Sequence, residues 1–183
     1  MKQMSPQTNN NHKGGSLERR AERLAARIEE GAVLLEAFVE GLTEEEWRTP
    51  VSETDRRSVG VIVHHVASMY PIEIEVARAI ASGNAVTNVT WNVVADLNAK
   101  HGHESAEVTK STALELLRRN SQEAANAVRE FSDEELDRAA PFSLSFGAPV
   151  TAQFVIEDHA LRHSWHHLAA IRTALAGRYA ATN

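Results

Sequence analysis

A chain of 183 residues has room for one well-buried domain and is short for two. Its formal net charge of -6 leaves no basic excess for a nucleic acid or an anionic membrane surface, so neither is expected as a partner. It has no cysteine, which excludes disulfides, thiolate metal ligands and a cysteine nucleophile carried by the protein itself.

The first fifteen residues, MKQMSPQTNNNHKGG, are polar and lack an apolar core, so they read as a disordered leader, neither a secretion signal nor a membrane anchor. No run of apolar residues is long enough to span a bilayer, and a cytoplasmic location is expected. A helix is predicted from the N-cap Ser16 to Glu40, with Leu17, Leu24, Ile28, Leu35 and Val39 as its apolar stripe. Gly41 stops it, and Thr43 followed by Glu46 has the capping-box spacing of a short helical turn. Residues 49–57, with Pro50, read as a loop. A second helix is predicted from Ser58 to Ala81, inward at Val59, Ile62, Val63, Val66, Ile74 and Ala77 and bent at Pro71. A connection leads to a short helix from Trp91 to Lys100, interrupted by His101-Gly102-His103 unless the helix runs on through them.

The third long helix is placed at Glu104 to Glu130, with Ala113, Leu114, Leu117, Ala124 and Val128 inward. Ser132 to Leu136 repeats the capped turn. Residues 141–149 (PFSLSFGAP) alternate like a strand, as a hairpin arm or an extended loop. Thr151 caps a final helix to Ala176, with Gly177 at its C′ position. Four long helices without a convincing sheet predict an all-α, four-helix bundle over residues 16–178, between the leader 1–15 and a tail 179–183.

Of the nine histidines, His159, His163, His166 and His167 fall within one helical segment. Residues four apart on an α-helix lie about 40° apart in projection and one turn apart in height. His163 and His167 therefore share a face, His159 lies one turn further along it, and His166 points elsewhere. The same face carries Val155, Leu168, Ile171 and Leu175, so it should look inward. Buried imidazoles are costly unless each ring nitrogen has a partner, and neutral imidazole is a common metal ligand. A third ligand must come from another element. His64-His65 offers one, and His65 falls on the inward side more nearly than His64. The predicted set is His65, His163 and His167 with open positions for exchangeable ligands, a catalytic rather than a structural pattern. His12, His101 and His103 read as solvent-exposed. Trp91 and Trp165 read as core or pocket wall, Glu73 and Glu75 as salt-bridged surface. Asp158 and Glu157 read either as acceptors that orient an imidazole or as a solvated flank.

These residues resemble a known family. The segment from His163 through His166-His167 to Ile171 is similar to the HxxHH-x-G-Q-I ending of the DinB/YfiT-like metalloenzymes. Arg57-Ser58 through His65-Val66 is similar to that family's W-S-x-x-E-[IV]-L-x-H-[LV] segment, and counting along it places the first ligand on His65. Asn98 matches an Asn often found ahead of the third helix. The chain departs from the pattern at Arg57 in place of Trp, at Gly60-Val61 without the acidic residue, and at Ala169-Ala170 in place of Gly-Gln. The resemblance implies an up-down-down-up bundle, often a homodimer, with a divalent ion (Zn, Ni or Fe) on three histidines. The long connection between residues 83 and 103 suits the crossover such a topology needs.

Some members of that family are thiol-dependent transferases or isomerases. The resemblance therefore implies a small-molecule substrate and a low-molecular-weight thiol cosubstrate, which this cysteine-free chain could not replace. His159, one turn from the ligands, is the expected catalytic proton carrier. The competing expectations are a non-catalytic, metal-stabilised bundle acting as a binding or stress-response module, and a metal-free polar seam of histidines.

Overall fold

Side-chain caps mark where most of the helices begin, and they set the frame for everything that follows. In the computed structural model, which describes residues 19–181, helix α1 spans Arg20–Glu40 and the short α2 spans Glu44–Trp47. Thr43 and Glu46 form the expected capping box, each satisfying a backbone N–H of the other residue. Helix α3 (Val59–Ala81) starts at the N-cap Ser58. Helix α4 spans Trp91–Glu104 and α5 spans Lys110–Arg129. Ser132 and Glu135 build a second capping box ahead of α6 (Asp133–Asp137). Strands β1 (Ala139–Pro141) and β2 (Pro149–Thr151) pair antiparallel, and the alternating segment is mostly the loop between them, with a 3-10 turn at Ser143–Ser145. Thr151 caps the last helical rod, composed of α7 (Ala152–Val155), a π-helical stretch (Ile156–Leu161) and α8 (Arg162–Ala181).

The predicted boundaries need two corrections. The third long helix begins at Lys110, not Glu104, because α4 runs on through His101-Gly102-His103. Thr109 supplies its cap, accepting from the Thr112 N–H. Gly177 does not end the last helix, which continues to Ala181; a glycine weakens a helix by about 1 kcal/mol but terminates it only where a left-handed cap forms. The expected cap at Ser16 and the stripe residue Leu17 lie outside the described residues.

The predicted inward residues Ile28, Leu35, Ile62, Val66, Leu117, Val128 and Ile171 are all fully buried, and the four long rods share one core. α5 packs on both α1 and α3, and the last rod fills the opposite side against the same two helices. Contact pairs fix directions. Arg20 at the start of α1 pairs with Asp133 beyond the end of α5, and Glu36 pairs with Arg118, so α1 and α5 are antiparallel. Asn120 meets Ala67 and Glu130 meets Arg78, so α5 runs alongside α3 in the same direction, and α4 lies in the crossover between them. No helix among the described residues is long and apolar enough to cross a membrane.

α3 remains helical through Pro71. Proline has no N–H, so the carbonyl of Ala67, four residues back, loses its helical partner. The buried Asn120 supplies one: its Nδ2 donates to that carbonyl at 2.9 Å. A polar side chain from α5 thus repairs the helix that carries the site.

Gly60 shows how tightly the start of α3 is held. A Cβ there would lie 2.4–2.7 Å from atoms of the Trp47 indole. That ring is buried, and its Nε1 donates to the Val108 carbonyl at 3.0 Å, so it cannot swing aside. Gly60→Ala gains about 1 kcal/mol of helix propensity and loses about 3 kcal/mol to overpacking, so a net cost of about 2 kcal/mol is expected. Thermal denaturation checks it: a fall of about 5 °C or more is expected for a chain of this size, and an unchanged midpoint would show that the indole yields.

Candidate metal centre

Two elements bring the three predicted ligands together. Ser58 sets the phase of α3 and turns His65 inward, where it is 6% exposed. The last rod runs antiparallel to α3, with Tyr70 Oη and Ser164 Oγ sharing a buried hydrogen bond of 2.7 Å between them. That bond fixes α8 in height, and His163 and His167 on either side of it face His65. Ring centroids are 5.0 Å apart for His65 and His163, 5.7 Å for His65 and His167, and 4.9 Å for His163 and His167. Each residue offers one nitrogen within 4.8 Å of the others, a separation that one ion can bridge with little adjustment.

The electrostatics favour the same use. Burial first, then the neighbouring His163 and His167, push His65 down to about 2; burial and His163 push His167 down to about 3. Both rings are therefore neutral at ordinary pH, the form that presents a lone pair to a cation. His65 Nδ1 is buried, and among the described residues no group bonds to it. Such an atom costs free energy unless an ion or water meets it. The donor set fits a divalent ion.

Glu73, expected on the surface, is instead buried against the site. His163 Nδ1–H donates to Glu73 Oε1 at 2.7 Å, which assigns the proton to Nδ1 and leaves Nε2 free to ligate. The signal available in the sequence was an acidic residue two turns beyond His65 on a mostly apolar helix, with nothing to name its partner. Glu75 is exposed as expected.

A second surprise is His101, expected in solvent. It is half-buried, with its Nε2 2.8 Å from His64 Nδ1 and the rings stacked at 5.0 Å. Ser105 Oγ lies 3.1 Å from His64 Nδ1 and 3.4 Å from His101 Nε2. This cluster ties α4 to α3. His64 is thus a tether, leaving His65 to face His163 and His167. His103 is exposed, and His12 lies outside the described residues.

Above the three histidines opens a cavity of about 380 Å³. Its wall is apolar: Ile72 from α3, Trp91, Val94 and Leu97 from α4, Phe142 and Leu144 from the hairpin. The hairpin is held to the α3–α4 connection by Val86, which donates to the Pro141 carbonyl and accepts from the Ser143 N–H. Asn98, Asp158 and His159 also line the cavity. Trp91 is 58% exposed, a rim residue and not core, whereas Trp165 is half-buried against Gly31. Glu157 is a solvated flank bonded to Gln153; Asp158 pairs with Arg162. His159 belongs to the π-helical stretch, its ring edge-on to Phe142 at 5.7 Å, and burial lowers its proton affinity. His166 is exposed at the rim.

A family model described as the DinB superfamily matches residues 27–171. Among solved structures, the chain is similar to YfiT from Bacillus subtilis, with 19% identity and a TM-score of 0.68 over 93% of this chain and 91% of that one. That protein is described as "a probable metal-dependent hydrolase with an unusual four-helix bundle topology". Comparison with curated proteins gives no significant match.

Proposed function

Because the chain belongs to the DinB superfamily, we propose that it is a metal-dependent enzyme that adds a nucleophile, water or a low-molecular-weight thiol, to an electrophilic small molecule. One observation carries the reading: three imidazoles converge at the base of a cavity large enough for a small molecule. His65, His163 and His167 would hold the ion. When bound, a divalent cation on three imidazoles supplies Lewis acidity, lowering the pKa of a water or thiol it binds. Glu73 keeps the His163 proton on Nδ1 and so holds that ring in its ligating tautomer. The apolar wall excludes bulk water and strengthens the field of the charged groups inside. His159 lines the cavity, burial holds its proton affinity down, and in this reading it accepts the proton that the nucleophile gives up.

A purely structural metal site usually closes with four protein ligands, and among the described residues only three histidines converge here. The test is elemental analysis of untagged protein, followed by turnover screens of activated esters in water and of electrophiles with several low-molecular-weight thiols. Turnover that falls by two orders of magnitude or more in His65→Ala, with helical circular dichroism retained, is the expected result. Stoichiometric metal with no turnover in any screen would leave a metal-stabilised binding module instead.

A further inference from the structure

Arg57 stands where the resembled motif has Trp, and it lines the same cavity. Asp55 grips it from one side: Nε lies 2.9 and 3.2 Å from the two carboxylate oxygens, and Nη2 lies 2.7 Å from Oδ2. The pair holds the Asp55 carboxyl below the usual carboxylate range. This fork fixes the guanidinium plane and leaves the third nitrogen, Nη1, buried and without an acceptor among the described residues. A guanidinium clamped on one edge and unsatisfied on the other is prepared for a planar anion. Its charge also reaches the metal centre, lowering the proton affinities of His65 and His167.

We infer that Arg57 Nη1 receives the carboxylate of the ligand, so that the molecules bound in this cavity are small hydrophobic carboxylates. The apolar wall takes the body of such a molecule, and Arg57 takes its head beside the three histidines. Because Asp55 already offsets much of the guanidinium charge, a monoanion suits the remaining donor better than a phosphate dianion. The inference rests on the cavity being the substrate site proposed above, and it adds the class of substrate.

The experiment compares 4-phenylbutyrate with its uncharged amide by calorimetry, using metal-stripped protein so that the ion cannot take the carboxylate. A charge-assisted hydrogen bond predicts a preference for the acid of about 10-fold or more, lost in Arg57→Gln while amide binding is unchanged. Arg57→Lys, which keeps the charge and loses the fork, should restore only part of the preference. Circular dichroism and melting of both variants confirm folding. An equal preference in wild type and Arg57→Gln, or no binding of either probe at millimolar concentration, overturns the inference. Failure of the catalytic reading looks different: an Arg57-dependent preference in a protein that turns over nothing.

Discussion

Replacing His163 with alanine should abolish the rise in melting temperature that Zn²⁺ or Ni²⁺ gives the wild-type protein. An ion at a hundredfold excess over its dissociation constant adds about 2.7 kcal/mol, which for a chain of this length raises the midpoint by roughly 5–10 °C. The ion needs all three imidazoles, since two leave it little better held than by a surface pair. Glu73→Gln should land between: His163 stays but loses its charged acceptor, and affinity should fall about 10- to 100-fold. His103→Ala, at an exposed ring, should keep the full rise. Differential scanning calorimetry with and without metal reads all three. A full rise in His163→Ala would remove the ion from the proposed centre altogether.

Acid should unfold the metal-stripped protein unusually early. Burial holds His65 near 2 and His167 near 3 in the folded chain, whereas a free histidine takes up its proton at about 6.5. The folded values are depressed, so stability is fully present above about 6.5 and drains away as the pH falls below it, because the unfolded chain binds protons that the folded chain refuses. Each imidazole costs about 1.4 kcal/mol per pH unit across that window, so two cost on the order of 4 kcal/mol by pH 5. That is a large share of the roughly 5–15 kcal/mol that holds a domain together. Chemical denaturation at pH 7.5, 6 and 5 measures it. A flat profile would mean that water enters the site freely enough to solvate the charged rings.

Much of this was legible in advance because it depends on local periodicity. The stripes on the long helices, both capping boxes and the facing of His163 and His167 follow from residues within a turn or two of one another. What escaped depends on distant partners. The burial of Glu73 follows from the ring of His163 on another rod, and the placement of His101 follows from how the crossover helix leans on His64. The repair of the Ala67 carbonyl by Asn120 likewise joins two helices. The π-helical stretch ahead of His163 has no compositional mark at all; one extra residue in a turn is accommodated by packing, not announced by it. Gly177 misled because a glycine permits a stop without requiring one.

The donors on α3 and α8 lie about a hundred residues apart in the chain, a span long enough that a clip between them removes considerable freedom from the unfolded polypeptide. They also divide the order of synthesis. While the ribosome is still making the hairpin, His65 has neither companion, and no nascent intermediate can assemble the site. An ion shared by all three rings would therefore be taken up only once α8 has been made.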